Sequence, residues 1–150
     1  MQHKHIPFFF TVFLLFTLFS LPNINAQCKS IVKNSCVPKL HPYIHDGSFQ
    51  AVIMTVGEEA EVYKTIFAGQ KYRLYVCVDN FLPNVEFVVS DIRRNILFDN
   101  RKHNNVKTWD FKPDASQQIK VTIRIPKNTK QSEASEIISG CVGVLFGLLE

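Results

Sequence analysis

The chain has 150 residues, 46% of them hydrophobic and 20% charged, a balance that excludes a disordered polar tract and allows one ordinary hydrophobic core. Its formal net charge is +4, from 17 Lys and Arg against 13 Asp and Glu. The basic residues are scattered, and the two densest spots, DIRRN (91–95) and NRKHN (100–104), read as solvated turns, which points away from a nucleic-acid or membrane-surface role.

MQHKH opens the chain with Lys4, an uncharged apolar run of 16 residues follows from Ile6 to Leu21, and then come Pro22 and small Ala26. Basic, apolar and small-residue regions in that order are the pattern of a secretory signal peptide. The run falls short of the roughly 20 residues that span a bilayer, so cleavage after Ala26 is expected rather than an anchor. Asn25, Ala26 and Gln27 ahead of Cys28 do not match a lipid-attachment site. The expected organisation is a signal peptide over 1–26 and a single domain over 27–150, secreted or periplasmic, with no integral membrane segment in the mature chain.

From Cys28 to Gly47 the sequence reads as irregular, punctuated by Pro38, Pro42 and Gly47. Short apolar or alternating segments then follow one another: Phe49 to Val56, Ala60 to Phe67, Lys71 to Asp79, Val85 to Ile92, Ile96 to Asp99, Val106 to Phe111, Gln117 to Ile125 and Ile137 to Leu149. They are rich in Val, Ile, Phe, Tyr and Thr and are bounded by turn residues. Seven or eight strands of this kind predict an all-β antiparallel sandwich, and no capped helical stripe suggests βα units. Pro126 to Glu136 is the most polar connection and reads as an exposed loop. The last segment, IISGCVGVLFGLL, is too short to span a membrane and reads as a buried strand, its glycines allowing close backbone approach.

Period-2 alternation assigns faces. Tyr72, Leu74, Val76 and Val78 point inward in the third segment, leaving Arg73, Tyr75, Cys77 and Asp79 on the other side. In the last segment Val142, Val144, Phe146 and Leu148 form the bulky row, opposite Cys141, Gly143, Leu145 and Gly147. Cys77 and Cys141 therefore share the side away from the bulky row, and the segment Cys28 to Gly47 is expected to cover it.

With the strands laid out, FAGQKYRLYV followed by VEFVVSDIRRNILFDN resembles the middle of bacterial pre-peptidase C-terminal-type β-sandwich domains, over residues 60–125. There a Gly-Gln turn leads an alternating strand and a hairpin is built around Asp-x-x-x-Asn. The resemblance implies a jelly-roll-like sandwich with an accessory role and carries no catalytic residues across. The whole arrangement, ending in SGCVGVLFG, is also similar to small exported proteins of unknown function found in Bacteroidetes.

Four cysteines, Cys28, Cys36, Cys77 and Cys141, lie in the expected mature chain, and export to an oxidising space predicts disulfides with three connectivities open. No CxxC and no Asn-x-Ser/Thr sequon occurs. His41, His45 and Asp46 in HPYIHD supply imidazole and carboxylate of the kind that holds zinc, but extended chain would keep the two rings apart. Asp91 and Asp99, with Asn100, bracket a turn and have side-chain oxygens suited to calcium; turn capping uses the same atoms. Tyr43, Tyr63 and Tyr75 are the candidate binding residues, since amphipathic rings serve sugars and proteins alike, whereas Trp109 is expected to fill the core. The reading is a non-catalytic binding or structural module without cofactor, its partner a protein, a glycan or an envelope component. The rival readings are a metal- or cysteine-dependent hydrolase and a calcium-stabilised adhesion or glycan-binding module.

Overall fold

The computed structural model describes residues 24–82, 84–127 and 138–149. All but the last three residues of the expected signal peptide lie outside these, as does the polar connection beyond Lys127. Among the described residues no helix is long and apolar enough to cross a membrane.

A short helix, α1 (Ile24–Ile31), leads through a π turn (Val32–Cys36) and a 3-10 turn (Val37–Leu40) into eight strands. These are β1 (Ile44–Thr55), β2 (Glu59–Ile66), β3 (Lys71–Val78), β4 (Glu86–Asp91), β5 (Ile96–Asp99), β6 (Thr108–Phe111), β7 (Gln117–Arg124) and β8 (Ser139–Leu149). One sheet has the order β1-β8-β3-β6 and the other β2-β7-β4-β5, every pair antiparallel. The pairs nest, β4 with β5, β3 with β6, β2 with β7 and β1 with β8, so the chain is a long hairpin rolled into a jelly roll.

Alternation explains the core. Tyr72, Leu74 and Val76 of β3 and Val142, Val144 and Phe146 of β8 are buried against Phe87 and Val89 of β4 and Ile119, Val121 and Ile123 of β7. One lateral side of the sandwich is closed by aromatic rings. Trp109 on edge strand β6 stacks on Phe98 of edge strand β5 at 5.2 Å and on Phe111 at 4.0 Å, and Phe111 stacks on Tyr72 at 5.4 Å.

The segment from Cys28 to Leu40 is not irregular as its prolines suggested; it coils along the outer face of the β1-β8-β3-β6 sheet. Cys28, Val32, Cys36 and Leu40, four residues apart, are all buried and form a second core with Tyr75, Cys77, Cys141 and Leu145. A strict 3.6-residue helix would rotate such a row off one face; the Val37 N–H bonding to Val32 O makes an i→i+5 turn that brings it back. At eight residues α1 is too short to persist alone, so its packing and covalent ties hold it. Those ties are disulfides Cys28–Cys141 and Cys36–Cys77, with Cα–Cα distances of 5.4 and 6.0 Å. Glycine in β8 makes room: a Cβ on Gly143 would stand 2.6 Å from a Val32 methyl, and one on Gly147 2.7 Å from Cβ of Tyr43.

Candidate functional site

The two disulfides occupy all four thiols, so the nucleophile of a cysteine-dependent hydrolase is bound up in the fold. The histidine cluster is not assembled either. His41 is exposed, and its carbonyl accepts from Arg73 Nη1 at 3.0 Å. His45 lies against Phe49 at 5.9 Å between ring centroids, with its Nε2 buried and unpaired. Asp46 bonds Lys64 Nζ and accepts from the Ser48 N–H at 2.9 Å. Among the described residues no three His, Cys, Asp or Glu side chains converge to hold a metal ion.

The acidic turn residues are engaged in holding turns. Asp91 accepts from Asn95 N at 2.8 Å and from Asn95 Nδ2 at 2.7 Å, which draws its pKa below the usual carboxylate range. Asp99 accepts two charge-assisted bonds from Arg101, at 2.9 and 2.7 Å, and is drawn down mainly by them. Asn100 is fully buried; its Oδ1 accepts from Phe87 N at 2.8 Å and its Nδ2 donates to Val85 O at 2.9 Å. These oxygens serve the β4–β5 corner.

The three tyrosines have different fates. Tyr75 does point away from the main core, but the N-terminal segment covers it to 8% exposure, which removes it as a binding residue. Tyr43 is half-buried, its ring 4.4 Å from the Arg73 guanidinium, which forks onto Asp110 at 2.7 and 2.6 Å. That group fastens the end of the N-terminal segment to β3 and β6. Tyr63 alone is open to solvent, at 58% exposure.

Tyr63 sits on β2, the edge strand of the second sheet, beside β1, the edge strand of the first. On one side of it a depression of about 300 Å³ runs along the seam between these edges, with Val52, Ala60 and Val62 among its lining residues. On its other side a depression of about 220 Å³ is lined by Asp91, Ile92, Arg94 and Lys120. The phenol is fixed between them: Tyr63 OH donates to Glu61 Oε2 at 2.8 Å, and Lys120 Nζ donates to Glu61 Oε1 at 2.7 Å. The Lys120 bond, then the Tyr63 bond, lowers the Glu61 pKa, and the same carboxylate raises the pKa values of Tyr63 and Lys120. At neutral pH the three are therefore a carboxylate, a neutral phenol and an ammonium, a fixed polar row rather than a proton relay.

Arg94 has φ +67°, a left-handed conformation that costs a non-glycine residue of order 1 kcal/mol. Its N–H donates to Asp91 O at 3.0 Å, so the Asp91 turn holds the arginine beside Lys120. Sequence reasoning singled out Tyr63 but missed Arg94, Ile92, Val52 and Lys64. Lys64 had a legible signal: it stands on the inward row of β2 with Ala60, Val62 and Ile66, where alternation calls for an apolar side chain. It reaches across to Asp46 and lies 5.5 Å from the Phe146 ring centroid, ending the seam.

No family model matches the chain, and no curated protein matches it. Among solved structures it is similar to the crystal structure of Aeromonas hydrophila PliG, a periplasmic lysozyme inhibitor of g-type lysozyme. The identity is 11%, with a TM-score of 0.48, over 68% of this chain and 85% of that one. At that level the likeness carries no argument about what this chain binds.

Proposed function

We propose that the chain is an exported, non-catalytic module that binds a protein partner through the surface around Tyr63. The observation carrying this reading is an asymmetry in how the sandwich is finished. One sheet face is sealed by a segment tied down with two disulfides, and one lateral side is closed by stacked rings. The outer face of the second sheet and the β1/β2 seam have no such cover among the described residues, and they meet at Tyr63. An exposed tyrosine whose hydroxyl is already fixed loses little freedom on binding and offers both ring area and a polar tip. Export is supported by the order of residues 1–26 and by the pairing of all four cysteines.

Affinity capture with the oxidised mature chain, run beside Tyr63→Ser and followed by mass spectrometry, tests the reading. A protein recovered with the parent chain and lost with the variant is expected. Recovery unchanged by Tyr63→Ser would remove this surface from the account.

A further inference from the structure

The seam and the depression holding Arg94 and Lys120 both border Tyr63, so together they make a strip with apolar residues at one end and basic ones at the other. Among the described residues β1 and β2 each have a sheet neighbour on one side only, which leaves main-chain N–H and C=O groups along both edges without a described strand partner. Along this strip Val52 is 43% exposed although it lies on the core-facing row of β1, opposite Val142. Beyond Tyr63, Ile92 is 72% exposed. The ion pairs among the described residues engage neither Arg93 nor Arg94, while Asp91, held by Asn95, and Glu61, held by Lys120 and Tyr63, keep their negative charges beside them. Arg93, Arg94 and Lys120 thus outnumber Asp91 and Glu61 by one positive charge, beside apolar surface and open backbone groups.

We infer that this strip takes an extended acidic peptide segment of the partner, with aliphatic side chains over Val52 and Val62, a main chain running along the β1/β2 edges past Tyr63, and a carboxylate on Arg94. An extended peptide supplies the alternating side chains and backbone groups that an open edge matches. A carboxylate suits the arginine fork, and the turn at Asp91 fixes the backbone from which Arg94 reaches it. Lys64 limits the register. As an inward charge on an edge strand, paired with Asp46 across the gap, it blocks the end of the seam to a further strand of ordinary apolar pattern.

The inference rests on the protein-binding reading above, and its test separates the two. A random-peptide phage library is panned on the oxidised mature chain, and the selected peptides are synthesised and measured by calorimetry and amide chemical shifts. The expected sequences carry Asp or Glu next to β-branched residues and move the amides of 50–54, 59–63 and 91–95. Arg94→Glu should weaken them about tenfold or more and Tyr63→Ser about thirtyfold; both side chains are exposed, so the variants keep the parent fold, which a melting scan verifies. Selection of peptides lacking acidic residues, shifts elsewhere, no selection at all, or equal binding to Arg94→Glu overturns the inference. So does a peptide-free dimer through this seam in sedimentation, or a soluble polyuronate binding there where no peptide does. A partner still captured through Tyr63 in any of those cases would leave the protein-binding reading standing and remove only the acidic-peptide assignment.

Discussion

Gly143 to Ala puts the docking of the N-terminal segment to a quantitative test. The added Cβ would lie 2.6 and 2.7 Å from the two γ-methyls of Val32 and 3.3 Å from its Cβ, well inside contact distance. Val32 is fully buried and lies midway between Cys28 and Cys36, each bonded to a strand beneath, so the stretch between them has no free end with which to lift away. Overpacking of this kind costs about 1–3 kcal/mol. Alanine's advantage over glycine in a strand works the other way by roughly 0.5–1 kcal/mol, so a net loss requires the clash. With about 2 kcal/mol for the clash less about 0.75 kcal/mol for that offset, the melting temperature of a domain this size should fall by about 5 °C in an oxidised sample. In a Val32→Ala background the new methyl enters vacated space, and the double variant should be more stable than the two single losses combined by about 1 kcal/mol or more. Urea unfolding of the four chains measures this. Additive losses, or a Gly143→Ala chain melting within about a degree of the parent, would refute the close approach of the Val32 turn to β8.

The two disulfides should differ in weight. By loop-closure entropy, separations of 113 and 41 residues correspond to about 5 and about 4 kcal/mol, so Cys28→Ala/Cys141→Ala should lower the urea midpoint more than Cys36→Ala/Cys77→Ala. The reverse order would contradict the entropic account. Asp110 has its pKa lowered, first by its hydrogen bond to Arg73, so its contribution is present above the ordinary carboxylate range near pH 4 and is lost as pH falls through the depressed value. Asp110→Asn should therefore flatten the acid limb of melting temperature against pH below about 4; a limb as steep as the parent's would count against it. Lys64→Val removes the inward charge from the β2 edge, and sedimentation should find more self-association than in the parent chain. An unchanged distribution would show that Lys64 does not guard that edge.

Most of the sandwich was legible because alternation is a local signal. All eight strands fall within two residues of the expected segments at most of their ends, and the cysteines of β3 and β8 land on the face that alternation assigned them. The clearest boundary miss is β1, which begins at Ile44 and passes through an irregular register between His45 and Phe49, where Gly47 takes a positive φ. The N-terminal turns escaped because their apolar residues recur every four positions, a spacing that a regular helix does not hold on one face. Tyr75 lies on the face that alternation assigned it, and its burial follows from the N-terminal segment that the cysteines of that face were expected to bring over it. The basic depression was harder still to see. Arg94 and Lys120 belong to different hairpins, and only the pairing of β4 with β7 brings Asp91 opposite Ile119 and so sets the turn beside Lys120.

Site-specific photo-crosslinking tests the central claim most directly. A photoreactive residue is placed at Tyr63 in one chain and at Lys29, on the disulfide-bound helix of the sealed face, in another, and each is irradiated in the cells that produce it. A discrete cross-linked protein from position 63 and none from position 29 is the predicted result. Cross-linking from position 29 with nothing at 63 would contradict the account and move the working surface to the disulfide-bound segment.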